Sequence, residues 1–338
     1  MSGGTPRLKP WWSRLRPDNF TLALLGTVLL ASFLPMHGGA ALVLDDVTDV
    51  AIAVLFFLHG ARLPRESIVA GLLHWRLHLT ILACTFVLFP LLGLLFKPLD
   101  GWLLTPELYI GVLFLCALPS TVQSSIAFTS IARGNVPAAV CSASLSSILG
   151  VFLTPLLLAL LAGTAGGMHN PGQAILSIML QLLVPFVAGH LLRPWIARWV
   201  ERQRALLRYT DQATILLVVY SAFGAAVSEG LWRKTPLLSL LTVAIVAAVL
   251  LGIAMPTIRF IARRLGFNRE DEITILFCGS KKSLATGVPI AKVLFAGGSL
   301  GAIVLPIMIY HQIQLIVCAM IAQRYARDPR PGTEPTEG

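Results

Sequence analysis

The chain has few charged residues and lacks the short motifs that usually accompany catalysis. Asp, Glu, Lys and Arg make up 12% of its 338 residues, whereas soluble domains carry roughly 25%. Such a chain would lack the polar surface that a soluble enzyme or binding domain needs. It also has no HExxH, no GxSxG, no Walker-type glycine loop and no pair of aspartates in the middle of a predicted span. We therefore expect neither enzymatic activity nor nucleotide-driven transport.

Signals for metal binding and nucleic-acid binding are missing as well. The five cysteines lie in apolar runs with no CxxC pair or metal-ligand spacing, and we interpret them as small packing residues: Cys84, Cys116, Cys141, Cys278 and Cys318. The formal net charge is +10, but the cations form no stripe with interleaved aromatic rings, which argues against a nucleic-acid partner. The sequence predicts no resident cofactor.

Long apolar runs dominate the sequence. Hydrophobic residues make up 56% of the chain and the mean hydropathy is +0.79, while a membrane span needs ~20 apolar residues. We predict an all-α integral membrane protein with ten transmembrane helices, at residues 19–34, 47–58 with flanks, 78–96, 108–131, 137–161, 174–192, 210–227, 237–260, 273–294 and 302–321. The lipid bilayer is its expected environment.

The positions of the cations predict the topology. Twenty of the 26 Lys and Arg residues fall on the side of the N-terminus, and only Lys97, Arg233 and Lys234 fall in loops on the opposite side. Cytoplasmic loops are enriched in Lys and Arg, so both termini are predicted to be cytoplasmic. The expected organisation is a cytoplasmic N-terminal segment (1–18), one transmembrane domain (19–324) and a disordered cytoplasmic tail (325–338). Segment 193–208, with Trp195 and Trp199, is predicted to lie on the membrane surface as an amphipathic helix.

Two halves of the chain echo each other. Thr48-Asp49 precedes Thr210-Asp211 by 162 residues, and SIA at 125–127 precedes SLA at 283–285 by 158. Each three-residue match is followed by a similar motif, IAR at 131–133 and IAK at 290–292. We predict two five-helix repeats, about 19–161 and about 174–322, with opposite topology because five is odd. Many secondary transporters have this architecture. Asp49 and Asp211 are predicted to stand at the N-termini of spans two and seven, where carboxylates stabilise a helix.

Spans four and nine are interrupted at related positions. Span four contains LPSTVQSS at 118–125, and span nine contains GSKKSLATGVP at 279–289. Pro and Gly free backbone groups from the helical ladder, which a membrane tolerates only where the chain contacts protein or lines a cavity. Interrupted helices in both halves are the best sequence indication of a transport site.

The candidate binding residues are the polar side chains near these interruptions and in the middle of span ten: Gln123, Ser124, Ser125, Thr129, Ser280, Lys281, Lys282, Ser283, His311, Gln312 and Gln314. The two lysines are the most informative, because a lysine at mid-bilayer costs roughly 2.5–3.5 kcal/mol on insertion scales. One ammonium could replace a sodium ion or bind an anionic substrate, or it could extend to an interface or pair with a group on another helix. The polar residues of span four could instead form ordinary interhelical hydrogen bonds, and His311 could be packed or relay protons.

At these residues the chain resembles the bile acid:sodium symporter family, in its prokaryotic SBF-like branch. The resemblance is carried by FFLHGARL at 56–63, by the stretch from Pro119 to ARGNV at 132–136, and by LTPLL at 153–157. It implies core and panel domains, discontinuous helices four and nine that cross in mid-membrane, and sodium-driven transport of an organic anion across a bacterial inner membrane.

The sodium ligands that the resemblance implies are mostly replaced. The Ser-Asn pair of span four corresponds to Ser125 and Ile126, and the span-five hydroxyls to Ala139 and Ala143. The acid and glutamine of span nine fall near Phe277 and on Lys281. Ser125 alone keeps its oxygen, although sodium, like other hard cations, prefers oxygen ligands.

The sequence therefore favours a secondary transporter, symporter-like, that moves a small organic anion by alternating access with Na+ or H+ as coupling ion. In that case one of Lys281 and Lys282 supplies the central positive charge, and the other is held in a carbonyl cage or at an interface. The alternative is a membrane regulator of the same fold that does not transport. A channel is disfavoured, because no span carries a continuous polar face.

Overall fold

Helices make up nearly all of the structure, a computed structural model that describes residues 19–62, 74–163, 179–228, 230–295 and 300–327. In chain order the longer helices are α1 (Asn19–Phe33), α2 (Gly39–Arg62), α3 (Trp75–Leu94), α4 (Pro106–Ala117), α5 (Val122–Ile131), α6 (Val136–Gly163), α7 (Val184–Arg202), α8 (Arg204–Ser228), α9 (Leu237–Arg264), α10 (Arg269–Ser280), α11 (Leu284–Leu294) and α12 (Leu300–Arg327). A π-helical turn, Cys84–Leu88, interrupts α3. The N-terminal segment 1–18 and residues 328–338 of the predicted tail lie outside the described residues.

Five of these helices are long and apolar enough to cross a membrane: α3, α6, α9, α12 and residues Tyr209–Ser228 of α8. The bent pair α4 and α5 passes the same test together. Many large apolar side chains on their outer faces are exposed, such as Leu91, Leu160 and Ile245, and in a bilayer these side chains contact lipid. The protein is therefore a multi-pass membrane protein.

The helices pack in two groups. The first group consists of α1, α2, α7 and α8, in which α2 packs on α7 and α8, and α1 packs on α8. The second group consists of α3 to α6 and α9 to α12. α8 also contacts α11 and α12, so it joins the first group to the second.

Two glycines allow α2 and α7 to approach closely. A Cβ added at Gly60 would lie 1.9 Å from the backbone oxygen of Phe186, and one added at Gly189 would lie 1.9 Å from that of Phe57. Backbones can approach this closely only where the contact residue has no side chain. The glycine of the FFLHGARL motif is therefore a packing residue of the first group.

The structure corrects three predictions about helix ends. Segment 193–208 is not a separate surface helix: α7 continues through Arg202, because Val200 packs against Leu58 and Ala61 of α2 and so lies on protein. The predicted tail begins too early, since α12 runs to Arg327 and Tyr325 is buried against Glu272.

Asp49 and Asp211 do not stand at helix N-termini either. α2 begins at Gly39 and α8 at Arg204, well before these residues. Asp211 instead accepts a hydrogen bond from Arg62 of α2 at 2.6 Å. This contact explains the position of Asp211 better than a helix N-terminus does.

Candidate functional site

Two helix interruptions meet inside the second group. α4 ends at Ala117 and α5 begins at Val122, with a bend of 59° between their axes. α10 ends at Ser280 and α11 begins at Leu284. The N–H of Ser283 donates to the carbonyl oxygen of Pro119 at 2.9 Å, so the two interruptions are in direct contact.

Lys281 and Lys282 are fully buried at this contact and point in different directions. Lys281 follows α10 in an extended conformation (φ −92°, ψ 146°), and successive side chains of an extended chain point to opposite sides. Lys281 reaches α5, while Lys282 reaches α3 and α4. The local backbone thus gives two neighbouring ammonium groups separate surroundings.

The ammonium of Lys282 lies in a cage of backbone carbonyls. Its Nζ donates to the carbonyl oxygens of Thr85, Cys116 and Leu118, each at 2.8 Å, and lies 4.3 Å from the ring centroid of Phe89. Three acceptors use all three N–H donors of an ammonium. The carbonyl cage predicted for one of the two lysines therefore holds Lys282.

The position of this cage follows from the helix interruption. Cys116 and Leu118 lie at the C-terminal end of α4, where carbonyl groups lack helical partners and the helix dipole is negative. Thr85 lies in the π-helical turn of α3. Lys282 therefore supplies both donors and positive charge to the end of a half-helix.

The ammonium of Lys281 is held less completely. Its Nζ donates to Ser124 Oγ at 3.1 Å and lies 4.1 Å from the ring centroid of Phe128, both on α5. Ser124 Oγ also lies 2.8 Å from Thr121 Oγ1. Ser124 is only partly buried and Gln123 beside it is exposed. The buried ammonium of Lys281 is therefore bonded to a residue that reaches the surface of the protein.

α12 satisfies the backbone of the second interruption. The side-chain amide of Gln314 accepts from the N–H of Lys282 and donates to its carbonyl oxygen, each at 3.0 Å, and Gln314 Nε2 lies 2.9 Å from His311 Nδ1. Tyr310 donates its hydroxyl to the carbonyl oxygen of Ser280 at 2.8 Å. Of the predicted polar cluster in span ten, Gln314 and His311 thus reach the site, and Gln312 is partly buried.

α6 satisfies the first interruption in the same way. Ser146 Oγ accepts from the N–H of Ser120 at 3.0 Å, and Thr154 donates to the carbonyl oxygen of Ala117 at 2.9 Å. A Cβ at Gly150 would lie 2.5 Å from Pro119, so this glycine lets α6 approach the interruption.

The remaining predicted residues differ in their surroundings. Ser125 is buried and donates to the carbonyl oxygen of Phe277 at 3.4 Å. Thr129 is buried, and its hydroxyl has no hydrogen-bond partner among the described residues. Ser283 caps α11 by accepting from the N–H of Thr286 at 3.1 Å, and Ser280 donates to the carbonyl oxygen of Leu276 in its own helix at 2.6 Å.

The residues at the sodium positions of the resemblance do not fit the ion. Ala139, Ala143 and Phe277 are fully buried and offer no side-chain oxygen. The hydroxyl of Ser125 and the carbonyl of Phe277 already contact each other. Lys281, also at one of these positions, places an ammonium group there instead of an oxygen ligand.

Several residues that build the site were not predicted from the sequence, among them Thr85, Tyr310, Ser146 and Thr154. Thr85 contributes a backbone carbonyl, for which side-chain patterns give no signal. Tyr310 contributes a hydroxyl and stands directly before the polar cluster of span ten, but it was not counted among the candidate residues. Thr154 is the hydroxyl of the LTPLL motif that carries the family resemblance, and this motif is the signal that could have identified it.

Comparison with known proteins places the chain in a family. The model of the SBF-like CPA transporter family matches residues 18–327. An "Uncharacterized protein PA2026" of Pseudomonas aeruginosa is 64% identical over 93% of this chain and 94% of its own length. "Putative symporter YfeH" of Escherichia coli K12 is 56% identical over 92% and 93%, and "Sodium/bile acid cotransporter 7" of Mus musculus is 30% identical over 91% and 92%. The chain belongs to the SBF-like CPA transporter family, as its resemblance to the bile acid:sodium symporters predicted.

Proposed function

We propose that this protein is a secondary transporter that moves a small organic anion by alternating access. The observation that carries the proposal is the pair of fully buried lysines where the two interrupted helices meet. Neither ammonium forms an ion pair with a described residue. A buried charge without a counter-ion is costly, and a bound anion would supply that counter-ion.

The packing supports the architecture that the proposal needs. If α4 with α5 and α10 with α11 each form one broken span, the chain has ten spans, five in each inverted repeat. We propose that these broken spans cross near the middle of the membrane. The two helix groups would then be the panel and core domains. Cation-rich loops would place both termini in the cytoplasm of a bacterial inner membrane.

The two ammonium groups have different roles in this proposal. Lys282 is a fixed charge, since its three donors are satisfied by backbone carbonyls that stay in place. Among the described residues, Lys281 has Ser124 as its only hydrogen-bond acceptor, and it can therefore turn toward an anion that enters past Ser124 and Gln123. The substrate thus binds to the ammonium of Lys281.

The coupling ion in this proposal is the proton and not sodium. The side chains at the sodium positions supply too few oxygens, whereas Lys281 can lose its proton as the anion leaves. The buried thiols of Cys278 in α10 and Cys318 in α12 interact electrostatically with Lys281. The names of the relatives, a putative symporter and a sodium/bile acid cotransporter, support a transport function for this chain. Its coupling ion and substrate must be determined by experiment.

A two-stage experiment tests the proposal. Purified protein is screened by thermal shift against acetate, succinate, citrate and taurocholate, and the anion with the largest shift is used for counterflow in proteoliposomes. We expect saturable exchange that Lys281→Gln abolishes. Lys97→Gln is the control: it removes an exposed lysine from the connection between α3 and α4 and should leave exchange unchanged. Thermal shifts without counterflow in any lipid composition would instead favour the regulator.

A further inference from the structure

A charged contact joins the two helix groups at a distance from the lysine pair. Lys292, near the end of α11, donates to the carboxylate of Asp45 in α2 and to Ser221 Oγ in α8, the latter at 3.2 Å. Ser221 in turn donates to Asp45 at 2.6 Å. Three helices from both groups therefore meet in one closed set of hydrogen bonds.

This contact lies at the end of the molecule opposite the cationic loops. Asp45 follows the beginning of α2, whose other end carries Arg62, and Lys292 precedes the end of α11. Ser221 is in the last third of α8, which begins at Arg204. The topology proposed above places this end on the periplasmic side.

A second contact closes the same end. Gly301, in the first turn of α12, packs so tightly on α8 that an added Cβ would lie 2.7 Å from the Cβ of Ala226 and 3.3 Å from the carbonyl oxygen of Ala222. Both alanines are almost fully buried. The charged contact therefore sits beside an apolar seam between the two groups.

α11 links this contact mechanically to the candidate site. The helix begins at Leu284, directly after the interruption that contains Lys281 and Lys282. At a rise of about 1.5 Å per residue, Lys292 lies only roughly 12 Å along a straight helix from that start. A movement of the second group that carries the lysine pair must also carry Lys292.

We propose that Lys292, Asp45 and Ser221 form a latch that holds the two groups together at the periplasmic end. Asp45 has a side-chain exposure of 51% and Lys292 one of 14%, so water reaches one partner and the contact can open. Opening the latch separates α8 from α11 and α12 and exposes Ala222 and Ala226 to the periplasm. The latch rests on alternating access in the proposed function, but no substrate is needed to detect it.

The test uses Ala226→Cys as a reporter in the full-length protein in intact cells. A membrane-impermeant maleimide is applied from outside, with the parent protein as background for the native cysteines. A partly exposed ion pair stabilises a contact only modestly. We therefore expect Asp45→Asn, which removes the ion pair, to increase the labelling rate of the reporter by about threefold or more. The matched control is Asp46→Asn, which removes the same charge from an exposed neighbour and should leave the rate unchanged.

A double variant and a second reporter complete the test. The exchange of charges in Asp45→Lys with Lys292→Asp should return labelling toward the original rate. Ala222→Cys serves as an alternative reporter if Ala226→Cys itself disturbs the seam. The latch is refuted if Asp45→Asn labels at the original rate with both reporters, or if Asp46→Asn accelerates labelling equally. Failure of anion counterflow would leave these labelling results unaffected.

Discussion

Gln314 pairs with the backbone of Lys282 in both directions, accepting from its N–H and donating to its carbonyl oxygen at 3.0 Å each. A glutamine in the middle of α12 thus replaces the helical hydrogen bonds that the interruption between α10 and α11 removes. The same residue also contacts His311. The polar residues of span ten serve, at least at this position, to hold an irregular backbone inside the membrane.

We predict that Gln314→Leu destabilises the protein strongly. The substitution leaves a buried N–H and a buried carbonyl unpaired, and each such group costs about 1–3 kcal/mol. The melting temperature can be followed with a thiol-reactive dye, since four of the five free cysteines are buried and become reactive on unfolding. Gln123→Leu, on the exposed side of α5, is the control and should melt near the original temperature. Equal melting temperatures for both variants would show that the Gln314 contacts are dispensable.

A second prediction separates the two lysines by stability. Lys282→Met leaves the carbonyls of Thr85, Cys116 and Leu118 without their common donor, whereas Lys281→Met removes one hydrogen bond to a hydroxyl and a contact with a ring. Because buried acceptors are costly to leave unpaired, Lys282→Met should lower the melting temperature much more than Lys281→Met. The same dye assay measures both. A larger loss in Lys281→Met would reverse the roles assigned to the two ammonium groups.

The third prediction concerns the contact between α2 and α7. Gly60→Ala and Gly189→Ala would each place a methyl group 1.9 Å from a backbone oxygen, so the two helices must separate. Overpacking costs about 1–3 kcal/mol or more, and both variants should express poorly or melt early. Gly252→Ala is the matched control, because a Cβ there meets nothing within 4 Å. Normal stability in the Gly60 and Gly189 variants would mean that the close approach is not required.

Much of the site could be predicted because its signals are local. Pro119 and the run from Lys281 to Ser283 marked both interruptions, and the cost of burying a lysine singled out the lysine pair. The separate roles of Lys281 and Lys282 could not be predicted, since adjacent residues share their sequence context and only the extended backbone between them sends one side chain to α5 and the other to α3.

Contacts between segments that are distant in sequence could not be predicted either, because local patterns do not show which segments pack together. Asp45 and Lys292 are far apart in sequence, and each is plausible as an interfacial charge on its own. Asp49 and Asp211 were misplaced at helix starts because α2 and α8 begin several residues before the spans that were predicted from the apolar runs. The ends of α2 and α8 depend on how these helices pack in the first group, and the apolar pattern of one segment gives no information about that packing.

The most direct test of the central claim is counterflow of the selected anion with sodium present and with choline in its place. A buried ammonium in place of sodium predicts equal saturable exchange in the two media, lost in Lys281→Gln and retained in Lys97→Gln. Saturable exchange that requires sodium and survives both Lys281→Gln and Lys282→Gln would contradict the account.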